Sequence, residues 1–96
     1  MNMELITKSD LVYNDYAWVQ YNERSPYVKG DLDTTPLNRQ DGNQILYFIN
    51  KIAATYGFQQ KTSAHKIEEM LRTKVPAELT TRERVKNWIT SNWFKF

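Results

Sequence analysis

The sequence predicts a mainly α domain with a three-helix C-terminal core, at about 41–57, 63–74 and 81–93, and a mostly non-helical N-terminal segment laid across it. Three observations predict it. Apolar residues recur at helical spacing through the second half, each run is bounded by capping and breaking residues, and residues 1–37 are interrupted by turn formers instead. The alternative is an α+β domain in which part of that N-terminal segment pairs as a β-hairpin.

The first helix begins near Asp41, whose carboxylate can accept from the free N–H groups of the first turn, with Gln44 at the N3 position. It ends at Gly57, a residue able to take the left-handed conformation that closes a helix. At 100° per residue, Ile45, Phe48, Ile49, Ile52, Ala53 and Tyr56 share one face, which Leu46 widens, so this helix is central to the core. The second helix is capped by Thr62 or Ser63, is stopped by Pro76, and turns Ala64, Ile67, Met70, Leu71 and Val75 inward. Its other face is expected in water, with Glu68 and Arg72 forming an i,i+4 ion pair there. The third opens on Thr80-Thr81-Arg82-Glu83, which reads as a capping box, and buries Val85, Trp88 and Ile89.

Two templates fit residues 11–21. Alternation through Tyr16-Ala17-Trp18-Val19-Gln20-Tyr21, then Tyr27-Val28-Lys29 after a turn at 22–26, suggests a hairpin. Thr7-Lys8-Ser9-Asp10 resembles a capping box, and Val12, Tyr16 and Val19 then fall on one helical face. Extended or irregular backbone after Tyr16 is the reading preferred here, because Ser25-Pro26 and Gly30 break the segment and 31–36 leads as a loop into the helices.

One domain of 96 residues buries only about 60–65% of the surface its unfolded chain exposes, so its core must be efficient. Three Trp, six Tyr and four Phe supply large rings for that purpose. The absence of cysteine removes disulfides and thiolate zinc sites. The start, Met1-Asn2-Met3-Glu4, lacks a basic region and an apolar stretch, so no secretory signal is expected, and the longest apolar run, 45–49, is far shorter than a membrane span. A soluble, cytoplasmic protein with no membrane association is the resulting expectation.

The net charge of +2 is unevenly placed. Residues 1–50 carry four Lys/Arg against seven Asp/Glu, and residues 51–96 carry nine against four. The simpler consequence is attraction between the two halves of one domain. The other is an anionic partner for the basic half.

Chemistry-bearing patterns are sparse. His65 is the single histidine and lies about 160° from Ile67 on the wheel, so it is expected in solvent, with no second ligand and no orienting carboxylate beyond Glu69. Asp31-Leu32-Asp33-Thr34-Thr35 opens like a calcium loop, but Pro36 stands where the sharp turn needs glycine and Gly42 where a bidentate Glu is required. The three glycines are isolated, which leaves no phosphate-cradling loop. No catalytic residue, cofactor or metal ligand is assigned, and the chain is expected not to be an enzyme.

Two surfaces are left as candidates. The second and third helices, joined through 75–80, have the order of a helix-turn-helix, whose nucleic-acid face would present Arg84, Lys86, Asn87 and Ser91. Against it stand Pro76, the lack of glycine in the connection, and Glu83 on the same polar face. Trp93, Phe94 and Phe96 place more apolar area at one helix end than that end easily hides. Either they fold back over the N-terminal Tyr and Trp cluster or they form a surface for a protein partner or for self-association. The function expected is a small non-enzymatic protein-interaction or adaptor module, with nucleic-acid binding by the basic half as the alternative.

Overall fold

The computed structural model describes residues 5–21, 25–29 and 32–96. Three helices of ten or more residues dominate: α2 (Gly42–Tyr56), α3 (Lys61–Thr73) and α4 (Arg82–Ser91). They are preceded by a 3-10 turn at Lys8–Asp10 and a single helical turn, α1 (Pro26–Lys29), and followed by a second 3-10 turn at Trp93–Lys95. Among the described residues there is no sheet, only two isolated bridges, Ala17 with Asp41 and Pro36 with Thr81. The mainly α reading therefore holds, and the hairpin does not form. Residues 16–21 form no helix but Tyr27 to Lys29 are helical, while residues 22–24 of the turn expected at 22–26 lie outside the described residues.

α2 follows its sequence signals. Asp41 caps it through its carboxylate, which accepts from the Asn43 N–H at 3.0 Å, and Gly57 ends it at φ 71°. α3 begins two residues earlier than its Thr and Ser signals suggest, at Lys61, because Gln60 takes the N-cap position without a side-chain bond. α4 is capped by Thr81 rather than Thr80, so the residue at N3 is Arg84, not Glu83, and the reciprocal box is not made. Its orphan donors are satisfied by a neighbouring loop instead: Arg82 N–H reaches Thr35 O at 3.0 Å and Glu83 N–H reaches Asp33 O at 2.8 Å. The helix ends at Ser91, short of the expected 93, and the chain tightens into the 3-10 turn.

Ile45, Phe48, Ile49, Ile52, Ile67, Leu71, Val85 and Ile89 meet in one core with Ala64, Met70 and Val75. Trp88, expected inside, lies half-buried at the rim. The N-terminal segment contributes Ile6 and Tyr16, which are 1% and 9% exposed, so it closes the core.

That segment is held by helix side chains that bind its backbone. The Asn50 amide pairs with both the N–H and the C=O of Ile6, each at 3.0 Å. Glu68 accepts from Val12 N–H at 2.8 Å, Tyr13 N–H at 3.2 Å and the Tyr16 hydroxyl at 2.8 Å. Glu68 is thus buried, and the surface ion pair with Arg72 is replaced by this anchor; Arg72 turns to Asp15 in a two-pronged contact. His65 is likewise not free in solvent. It is half-buried beneath the Lys8–Asp10 turn, with Nε2 3.0 Å from Asp10 O. The Thr7–Asp10 signal is used locally: Asp10 accepts from Thr7 N–H at 2.9 Å, closing one 3-10 turn and no longer helix.

A second buried polar cluster joins the starts of α2 and α4. Arg82 is fully buried, donating to Tyr27 O at 2.6 Å and to Gln44 Oε1 at 3.3 Å. Gln44 passes the connection to Tyr21, whose hydroxyl donates to the buried Asp41 carboxylate. Burial disfavours the Arg82 cation, and its Nη1 has no hydrogen-bond partner among the described residues.

Candidate interaction surface

The C-terminal aromatics do not fold back over the N-terminal Tyr and Trp cluster. They pack against Phe58 just beyond α2, Trp88 of α4 and the lysines Lys66 and Lys74 on and after α3. In a 3-10 turn, residues three apart eclipse one another, so Trp93 and Phe96 face the same way while Phe94 points about 120° aside. Trp93 and Phe96 both lie against the protein. The Trp93 ring stacks on Phe58, 5.1 Å between centroids and 20° between planes, and Phe58 stacks on Tyr56 at 6.2 Å. Phe58 reaches this position because the left-handed Gly57 reverses the chain at the end of α2. Phe96 stacks on Trp88 at 6.0 Å and 16°. Among the described residues Phe94 has no such neighbour and is 97% exposed, while Phe96 is 50% and Tyr56 44% exposed.

Lysines stand over two of these rings. Lys66 Nζ sits 4.5 Å from the Trp93 ring centroid and Lys74 Nζ 5.1 Å from that of Phe96, as cations over π faces. Lys95 stands exposed between Phe94 and Phe96. Glu68 and Glu69 face the N-terminal segment, where Glu69 accepts from the Tyr13 hydroxyl at 2.5 Å, whereas Lys66 and Lys74 face the terminal rings. Part of the basic surplus is used internally, since Lys61 pairs with Asp10 at 3.1 Å and Arg72 with Asp15. These pairs are the attraction between halves that the sequence suggests. They hold the Asp15 carboxyl below its usual range through Arg72, and that of Asp10 below it through the Thr7 N–H and then Lys61.

The α4 polar face is arranged differently. Arg84, Asn87 and Ser91 are exposed along one stripe and Lys86 is half-buried. The end of α4 that a recognition helix would push into a groove is covered by residues 33–36 through the two backbone bonds to Asp33 and Thr35. Leu37 N–H adds a bond to Thr80 O at 2.8 Å, and Arg39 clamps the connection from below, donating to Val75 O, Pro76 O and Leu79 O at 2.9, 2.7 and 2.6 Å.

Other sites are modest. Asp33 accepts from Thr35 N–H at 2.8 Å in a closed turn, Asp31 lies outside the described residues, and no three His, Cys, Asp or Glu among the described residues gather as metal ligands would. A recess of about 430 Å³ runs between Tyr16, Arg39 and Arg72, and a shallower one of about 650 Å³ is lined by Lys8, Leu11, Tyr13 and Trp18. No described helix is long and apolar enough to cross a membrane.

Sequence reasoning missed the anchoring roles of Glu68, Arg82 and Arg39, and the close approach of Trp18 to Gly42. A β-carbon at Gly42 would stand 2.6 Å from the indole ring. The one available sign was the polar residue within an otherwise apolar stripe: Glu68 adjoins Ile67 and precedes Leu71 by three positions. Compared with protein-family models, curated proteins and solved structures, the chain matches none.

Proposed function

We propose that this chain is a small non-enzymatic protein-interaction module whose contact surface is formed by Trp93, Phe94 and Phe96. The exposure of Phe94 carries the reading: a phenylalanine 97% in water, bordered by two stacked aromatic groups, is a ready anchor for a partner's apolar side chains. The stacked rings fix the platform beneath it, so little conformational freedom is lost when a partner docks.

Nucleic-acid binding by Arg84, Lys86, Asn87 and Ser91 is the competing reading, and the loop covering the start of α4 weighs against it. The two separate by salt and by mutation. Retention of partners by the immobilised chain is compared with that by a Phe94→Ala/Phe96→Ala variant as salt rises from about 50 to 200 mM. The module reading expects protein retained across that range and lost with the two rings. Nucleic acid retained only at low salt, unaffected by loss of the rings but weakened by Arg84→Ala, would refute it.

A further inference from the structure

Resting on the reading of the C-terminal rings as a contact surface, we infer that the partner is an acidic amphipathic segment: apolar side chains packing on Phe94, Trp93 and Phe96, and carboxylates meeting Lys66, Lys74 and Lys95. Charge complementarity selects this occupant. The three lysines edge the aromatic platform, and the α3 carboxylates nearest in sequence, Glu68 and Glu69, are engaged by the Tyr16 and Tyr13 hydroxyls of the N-terminal segment. A partner bringing Asp or Glu would therefore meet cations, with Glu68 buried and Glu69 held by the Tyr13 hydroxyl. Among the described residues neither Lys66, Lys74 nor Lys95 makes an ion pair, so each remains available to a partner's carboxylate.

The same geometry disfavours other occupants. Strand-binding platforms stack successive bases on open ring faces. Here Trp93 is flanked by Phe58 and Lys66, and Phe96 by Trp88 and Lys74, so only Phe94 offers a ring free of such contacts. A second copy paired through the same surface would bring two sets of Lys66, Lys74 and Lys95 together. That arrangement sets like charge against like.

The test is selection of random displayed peptides on the full chain, with counter-selection on Phe94→Ala, an exposed position whose change leaves the fold intact. Expected are Phe94-dependent peptides that combine Leu, Ile, Phe or Trp with a surplus of Asp and Glu. As synthetic peptides these should bind about thirtyfold more weakly to Phe94→Ala and about tenfold more weakly to a Lys66→Glu/Lys95→Glu variant. Phe94-dependent peptides without acidic surplus would overturn the inferred partner chemistry while leaving the interaction surface standing. Recovery of no Phe94-dependent peptide would overturn both. Three further measurements on the full chain identify a different occupant and so overturn the inference: Phe94-dependent dimerisation in sedimentation equilibrium, salt-steep binding to oligo(dT), and Phe94-dependent binding to phosphatidylcholine–phosphatidylserine vesicles.

Discussion

Replacing Glu68 by alanine removes the acceptor on which the N-terminal segment is hung. The carboxylate is 1% exposed and receives Val12 N–H, Tyr13 N–H and Tyr16 OH. A hydrogen bond to a charged group contributes about 1.5–3 kcal/mol, and a buried donor left alone costs about 1–3 kcal/mol. Of the three donors, the Tyr16 hydroxyl is enclosed, whereas the two amides lie in a partly exposed segment where water can replace the lost acceptor. Loss of the charge also relieves its own desolvation, which pulls the total down. The expected destabilisation is about 3–5 kcal/mol for Glu68→Ala and about 2–3 kcal/mol for Glu68→Gln, which keeps the shape and one acceptor but turns an amide N–H toward a donor. Urea unfolding followed by far-UV circular dichroism measures both. Paired with Tyr16→Phe, a double-mutant cycle should return a coupling of about 0.5–3 kcal/mol. Hydrogen exchange should show Val12 and Tyr13 amides losing protection ahead of those in α2. A Glu68→Ala loss below about 1 kcal/mol, with Val12 and Tyr13 protection unchanged, would refute the anchoring role.

Phe48, at 0% exposure, should cost about 3–5 kcal/mol when truncated to alanine, and a loss below about 1 kcal/mol would remove it from the core. Gly42→Ala should destabilise by about 1–3 kcal/mol despite a helix-propensity gain of up to about 1 kcal/mol, because the new methyl displaces Trp18; an unchanged Trp emission spectrum with raised stability would contradict this. Tyr13, Tyr16 and Tyr21 are held above the ordinary tyrosine value by the Glu69 hydrogen bond, by burial and then Glu68, and by the Asp41 hydrogen bond respectively. The folded chain thus keeps protons that the unfolded chain releases, so this stabilisation is complete below about pH 10 and is lost as pH rises through the folded values. The urea midpoint should fall above about pH 10, less steeply in Tyr16→Phe, and a flat profile there would count against the network. His65→Ala and Asp33→Ala should fold without any added metal, and a melting temperature that drops on adding chelator would show a ligand set not recognised here.

The three helices were legible in the sequence because helix formation leaves a periodic record: one apolar stripe every 3.6 residues, a cap before and a breaker after. Ile45, Phe48, Ile49 and Ile52 repeat at that spacing between Asp41 and Gly57, and the structure places all four in the core. The N-terminal segment left no such record. Its course is set by contacts 44 to 57 residues away in sequence, from Asn50, Glu68 and Arg72, and no local period encodes a bond between a distant side chain and an irregular backbone. Glu68 illustrates the limit. Its spacing to Arg72 matches a surface ion pair, and only the arrival of residues 12–16 converts the same carboxylate into a buried anchor. The terminal surface divides the same way. Composition showed that Trp93, Phe94 and Phe96 were too much apolar area for one helix end, but which ring remains in water depended on the 3-10 turn and on Phe58 and Trp88 taking the other two. Local periodicity is a property of the chain, whereas the partner of each polar group and the exposure of each ring are properties of the assembled neighbours.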